Sequence, residues 1–82
     1  MAKPNLAFRE RLGAVLRQAR VNAALSQEEV AGRADLDPTY ISDLERGRKA
    51  ATVEAIAAIA TALGTSAHLL VMAAEGSAEP AP

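Results

Sequence analysis

An all-α domain of five short helices is what this 82-residue sequence predicts. Three observations carry that expectation. Half the residues are apolar, yet there is one Phe, one Tyr and no Trp, and Ala supplies much of the apolar share. Small, helix-favouring side chains suit closely packed short helices. Val and Ile are too few and too scattered for a succession of alternating strands. The apolar residues recur instead at helical spacing, in segments that open on a capping residue and mostly close on Gly or Asp. A chain of this length makes one domain and buries only a modest share of its surface, so a partner subunit would help it.

Residues 1–5 read as a flexible N-terminus, with Asn5 placed to cap the first helix. From Leu6 to about Ala24, the residues Phe8, Leu12, Val15, Leu16, Ala19 and Ala23 share one stripe. Gly13 interrupts this helix, either as a point of close packing or as a tolerated weak residue. Ser26 opens the second helix, with Glu29 at the capping-box spacing. Val30, Ala31 and Ala34 form its apolar side, and Asp35, which tolerates a left-handed backbone, ends it. Asp37 caps the third helix and Pro38 takes its first position, where no amide donor is needed. Gly47 stops that helix after Arg46. Two helices of about two turns, joined by a turn of three or four residues, have helix-turn-helix geometry. Thr52 caps a fourth helix from Val53 to Leu63, which Gly64 ends, and Ser66 caps a fifth over about Ala67 to Ala74. The domain is therefore placed at 6–74. Residues 75–82, polar, small and Pro-ended, read as a flexible tail.

Several function classes are disfavoured. There is no Cys, which excludes disulfides, thiolate chemistry and Cys-based metal sites. No signal-peptide core and no membrane-length apolar run is present, so no membrane association is expected, and a cytoplasmic location follows by default. The single His, His68, stands near a helix start with no second His to join it. Glu28 and Glu29 are adjacent and so point to different helix faces, while Asp35 and Asp37 serve a turn and a cap. With no Gly-rich phosphate loop and no metal-ligand spacing, the expectation is no enzyme, no metal, no cofactor and no small-molecule ligand.

The charge distribution says more than the net charge of −1. Residues 1–20 carry Lys3, Arg9, Arg11, Arg17 and Arg20 against Glu10 alone, and a second basic cluster is Arg46, Arg48 and Lys49. A near-neutral chain can still present a basic face, although ordinary solvated helix faces would look the same. At about 100° per residue, Ile41, Leu44 and Glu45 of the third helix point one way. Thr39, Ser42, Asp43 and Arg46 point the other way, with Tyr40 on the flank. A helix fits the DNA major groove, where Thr and Ser can bond to several bases. Asp accepts from the cytosine amino group there, and Arg grips guanine or a phosphate. A solvated amphipathic face has the same pattern.

The run LSQEEVAGRADLDPTYISDLERGRK over 25–49, followed by TVEAIAAIATALGTSAHLL, resembles the lambda-repressor-like, or XRE-family, helix-turn-helix domain. The resembling segments are Leu25 to Ala31, Ile41 to Gly47 and Ile59 to Gly64, with Leu16-Arg17-Gln18-Ala19-Arg20 upstream. The resemblance covers about residues 9–72. The resemblance implies five helices, with the third (about 38–46) in the major groove and the second crossing the backbone. By position, Gln27 would meet phosphate. Thr39, Ser42 and Asp43 would face base edges, and Tyr40, Arg46, Arg48 and Lys49 would contact phosphate or the groove rim. The resemblance also implies a largely buried ion pair between Arg20 and Glu45, both of which sit beside their apolar stripes.

The sequence departs from the family pattern in three places. Asp35 replaces the usual turn Gly, Pro38 starts the recognition helix, and Ala51 stands where a Pro often precedes the fourth helix. Pro38 shifts base reading onto Thr39, Ser42 and Asp43. The acidic Asp43 adds repulsion, which predicts modest, strongly salt-dependent affinity.

The fourth helix is apolar nearly all round. Val53, Ile56, Ala57, Ala60 and Leu63 form its inward stripe, and Ala55, Ala58, Ile59 and Ala62 lie on other faces. A helix of this kind is usually buried all round. The fifth adds Leu69, Leu70, Val71 and Met72. These predict a homodimer with Ile59, Ala62, Leu69, Val71 and Met72 at the interface, the plainer alternative being small Ala patches left exposed. A two-fold dimer would set its recognition helices about 34 Å apart on a pseudo-palindromic operator. The function expected is a sequence-specific, double-stranded-DNA-binding transcriptional regulator, its short form resembling restriction-modification controllers and phage-type repressors. The alternative is a protein-interaction module, such as an antitoxin or adaptor, on the same fold.

Overall fold

The computed structural model describes residue 3 and residues 5–76. It contains α1 (Leu6–Asn22), α2 (Gln27–Ala34), α3 (Pro38–Glu45), α4 (Val53–Leu63) and α5 (Ala67–Gly76), with no strand among the described residues. The all-α, five-helix architecture is therefore the one the sequence predicts.

Local chemistry starts four of these helices. The first turn of a helix leaves amide donors without backbone acceptors, and a capping side chain answers them. Asn5 Oδ1 accepts from the Phe8 N–H at 2.9 Å. Asp37 Oδ1 accepts from Thr39 at 2.8 Å, and Thr52 Oγ1 accepts from Ala55 at 3.0 Å. At α2 the exchange is reciprocal: the Glu29 N–H donates to Ser26 Oγ at 3.0 Å, and the Ser26 N–H donates to Glu29 Oε1 at 2.8 Å. The hydrogen bonds from the Ser26 backbone and then its hydroxyl hold the Glu29 carboxyl below its ordinary range.

Helix ends agree with expectation at Asp35, Gly47 and Gly64 and depart from it elsewhere. Asp35 is left-handed (φ 57°, ψ 47°), as are Gly47 (φ 72°) and Gly64 (φ 74°). Ala24 also has a positive φ, 59°, and this ends α1 at Asn22, earlier than the apolar stripe suggests. The Leu25 N–H then folds back onto the Arg20 carbonyl at 3.2 Å. At the other end, α5 takes in Glu75 and Gly76, so the helix runs two residues past the domain boundary the sequence suggests. Of the two flexible ends predicted from the sequence, residues 1, 2 and 4 and residues 77–82 lie outside the described residues.

All five helices contribute to one core. Leu12 and Leu16 meet Val30, Ala31, Ile41, Leu44, Ile56, Ile59, Ala60, Leu70 and Ala74. Helix α1 packs on α3 and α5, α2 packs on α3 and α4, and α4 packs on α5. Gly13 is a point of close packing: a Cβ there would stand 2.5 Å from the Leu44 carbonyl oxygen and 2.6 Å from that of Glu45. Arg11 ties α1 to the last turn of α5, donating from Nε to the Ala74 carbonyl at 3.0 Å. Its guanidinium also lies 5.9 Å from the centre of the Phe8 ring.

Helix α4 corrects the sequence reading. Its buried arc is Ala55, Ile56, Ile59 and Ala60, while Val53 is 83% exposed and Ala57 is exposed. Ile59, placed by the sequence at a subunit interface, lies in the chain's own core at 3% exposure. When almost every residue is apolar, the 3.6-residue period fixes the spacing of a stripe but not its phase. Here packing against both α2 and α5 sets the phase. No single described helix is long and apolar enough to cross a membrane, and the α4–α5 pair bends by 102° at its break.

Candidate nucleic-acid interface

The turn between α2 and α3 is three residues long: Asp35, Leu36 and Asp37. The Leu36 N–H donates to the Ala31 carbonyl at 2.9 Å, and its side chain packs partly buried against the core. This anchor fixes where α3 starts. Ile41 and Leu44, each 3% exposed, hold the inner face of α3 to the core. Thr39 and Arg46 are exposed on the other side, with Ser42 and Asp43 half-buried between them. Tyr40, on the flank, packs partly into the core, and its hydroxyl oxygen accepts from the Thr52 N–H at 3.4 Å. Tyr40 thus joins α3 to the start of α4.

A polar network fixes α3 from behind. Arg20 Nε donates to Glu45 Oε2 at 2.6 Å and its Nη2 to Oε1 at 3.0 Å. Its Nη1 donates to the Leu25 carbonyl at 2.9 Å. The Glu45 side chain is 4% exposed and that of Arg20 13%. The hydrogen bond to Glu45 raises the Arg20 pKa above its ordinary value, against the opposing effect of burial. Gln27, at the first position of α2, adds a third donor to the same carboxylate, Nε2 to Oε1 at 3.0 Å. The amide group that the resemblance assigns to phosphate is therefore joined to α3 inside the protein. Sequence spacing gives no sign of this bond, which spans 18 residues.

Past α3 the chain reverses. Gly47, left-handed, packs against α1, where a Cβ would lie 3.1 Å from Glu10 Cα. The Arg48 N–H donates to the Asp43 carbonyl at 2.9 Å. Arg46, Arg48 and Lys49 are all exposed here, and Lys49 Nζ lies 3.4 Å from Asp43 Oδ2. The second basic cluster therefore flanks the C-terminal end of the Thr39–Ser42–Asp43 face. The first basic cluster is not a single face: Arg11 turns to Ala74 and Arg20 to Glu45.

The remaining apolar residues assigned to an interface are Ala62 near the end of α4 and Leu69, Val71 and Met72 on α5. Leu69 and Met72 are 46% and 55% exposed, and Ala62 and Val71 are half-buried. Leu69 borders a hollow with Val15, Ala19 and Leu63. Val71 lines a different crevice with Phe8, Val53 and His68.

Comparison with known proteins gives concordant matches. A family model described as a helix-turn-helix domain matches residues 11–71. The transcriptional regulator ClgR of Mycobacterium tuberculosis is 44% identical over 55 residues, which cover 67% of this chain and 49% of that protein. This chain spans about half the length of the first curated relatives it matches. Among solved structures, the clp gene regulator ClgR from C. glutamicum superposes with a TM-score of 0.82 at 38% identity, covering 96% of this chain and 100% of that one. The restriction-modification controller protein C.AhdI from Aeromonas hydrophila superposes with a TM-score of 0.74 at 34% identity, covering 76% and 94%.

Proposed function

The chain belongs to the helix-turn-helix domain family, and from that premise we propose that it is a sequence-specific DNA-binding transcriptional regulator acting in the cytoplasm. One observation carries the reading: α3 turns Ile41 and Leu44 into the core and leaves Thr39 and Ser42 on the opposite side, with Arg46 and Arg48 exposed beside them. Short hydroxyl side chains on a rigid helix allow close approach to base edges in the major groove. The guanidinium groups at its end are suited to phosphate oxygens. The names of the matched relatives, a transcriptional regulator and a restriction-modification controller, support the same reading.

The protein acts as a homodimer in this reading. Support comes from Leu69 and Met72, large apolar side chains left about half exposed on α5, with Ala62 nearby in sequence at the end of α4. Burying such groups removes apolar surface from water at roughly 25 cal/mol per Å². A two-fold dimer would present two copies of α3 to half-sites about one DNA turn apart.

Selection of sites from random duplex DNA, with affinity then measured against salt, tests the function. Recovery of a pseudo-palindrome, with affinity falling steeply as salt rises, is the expected result. No enriched site, with only weak binding at low salt, would overturn it and direct attention to a protein partner.

A further inference from the structure

The ion pair between Lys49 and Asp43 lies beside the face assigned to DNA. Asp43 follows Ser42 on α3 and stands one helical turn from Thr39. Its carboxylate is largely shielded, 18% exposed, whereas Lys49 is 58% exposed. The turn that carries Lys49 is held in place twice, by Gly47 against α1 and by the Arg48 amide on the Asp43 carbonyl. Lys49 is thereby presented to Asp43 by backbone geometry. Among the described residues it is the only cation of the 46–49 turn with a carboxylate within 4 Å.

We propose that Asp43 restrains sequence-independent DNA binding by holding the Lys49 ammonium away from the phosphate backbone, and that Asp43 is a positioning residue for Lys49 rather than a reader of cytosine. This restraint presupposes the DNA-binding reading of α3. A carboxylate that reads a cytosine amino group must offer a free oxygen at the surface. Here one oxygen is engaged and the side chain is mostly covered. A lysine that neutralises a phosphate releases a counterion and steepens the salt dependence of binding. A lysine already neutralised by Asp43 contributes less of that term. Lys49 is one of the three cations Arg46, Arg48 and Lys49 beside this face, so neutralising it removes a third of that cluster's positive charge. The same restraint acts on every duplex, and sequence-independent binding, which has little besides phosphate contacts, depends on it most.

The test is a double-mutant cycle on a random-sequence duplex, using wild type, D43N, K49M and the double variant, each titrated from low to moderate salt. D43N retains the backbone carbonyl that accepts from Arg48. The expected result is that D43N binds on the order of tenfold tighter at 0.1 M salt, with a salt slope steeper by about 0.9, one extra phosphate neutralised. K49M should cost about tenfold in the D43N background and less than threefold in wild type, the non-additivity of two groups in contact. On a selected operator, D43N should leave the order of base preference unchanged. Additive effects with normal wild-type binding, or loss of preference at one base pair in D43N, would overturn the restraint alone. No duplex binding by any of the four at low salt would overturn the DNA-binding reading and the restraint with it.

Discussion

The carboxylate of Glu45 is gripped by the guanidinium of Arg20 through two nitrogens, at 2.6 and 3.0 Å, with the Glu45 side chain 4% exposed. Since Glu45 is the last residue of α3 and Arg20 lies in the last turn of α1, this contact sets the tilt of the helix proposed to enter DNA. Glu45→Gln keeps the volume but leaves Arg20 without its anion and places an amide donor among three others. Removing one partner of a buried pair costs about 3–5 kcal/mol. In a domain of this size that corresponds to a fall in Tm of about 10 °C or more. A thermal melt within about two degrees of wild type would show that the pair does not hold α3.

Gly13→Ala reverses the usual helix rule. Ala is favoured over Gly in a helix interior by about 1 kcal/mol. Here the new methyl would stand 2.5 Å and 2.6 Å from two backbone carbonyl oxygens of α3, which cannot rotate aside as a side chain would. Overpacking of this kind costs about 1–3 kcal/mol or more, so the steric term is expected to win. Denaturant unfolding should show a lower midpoint for the variant, and a higher one would mean that α1 and α3 can separate freely.

The capping box of α2 has a pH signature. The hydrogen bonds with Ser26 hold the Glu29 pKa below its ordinary 4.5 in the folded state. A carboxyl with a depressed folded pKa contributes stability above its unfolded pKa and loses it as pH falls through the folded one. Following the Glu29 side-chain carbon by NMR should give a midpoint below 4.5, which Ser26→Ala should raise. An unchanged midpoint in that variant would leave the Ser26 backbone N–H as the cause and rule out the hydroxyl.

Leu69→Glu combined with Met72→Glu puts charge on the exposed side of α5, away from the buried Leu70 and Ala74. Sedimentation should find the wild type dimeric and the variant monomeric, with the same helical circular dichroism. A wild type that stays monomeric at concentrations that bind DNA would remove the proposed interface.

Where the sequence predicts the fold well, the reason is local. Asn5, Ser26, Asp37 and Thr52 each act on an amide two or three residues away, so their roles can be read from spacing alone. Ala24 carries no such signal. It is neither Gly nor Asn, and its left-handed backbone accompanies the tuck of Leu25 beneath Arg20, which grips the Leu25 carbonyl from the preceding helix. Ile59 is misplaced by sequence because an all-apolar helix hides its phase. Gln27 and Asp43 keep their expected positions, but their partners, Glu45 and Lys49, are set by tertiary packing and by a reversed turn. The face of the candidate site can thus be read from α3, whereas the groups that restrain it cannot.

The most direct test of the central claim is a base-by-base comparison on the selected operator. Each base pair of a half-site would be substituted in turn, and binding measured for wild type, Thr39→Ala, Ser42→Ala and Arg48→Ala. If α3 reads the major groove, Thr39→Ala and Ser42→Ala each lose discrimination at one or two adjacent pairs, while Arg48→Ala weakens every site by a similar factor. If discrimination is unchanged in both α3 variants, the helix does not read sequence, and the claim is contradicted.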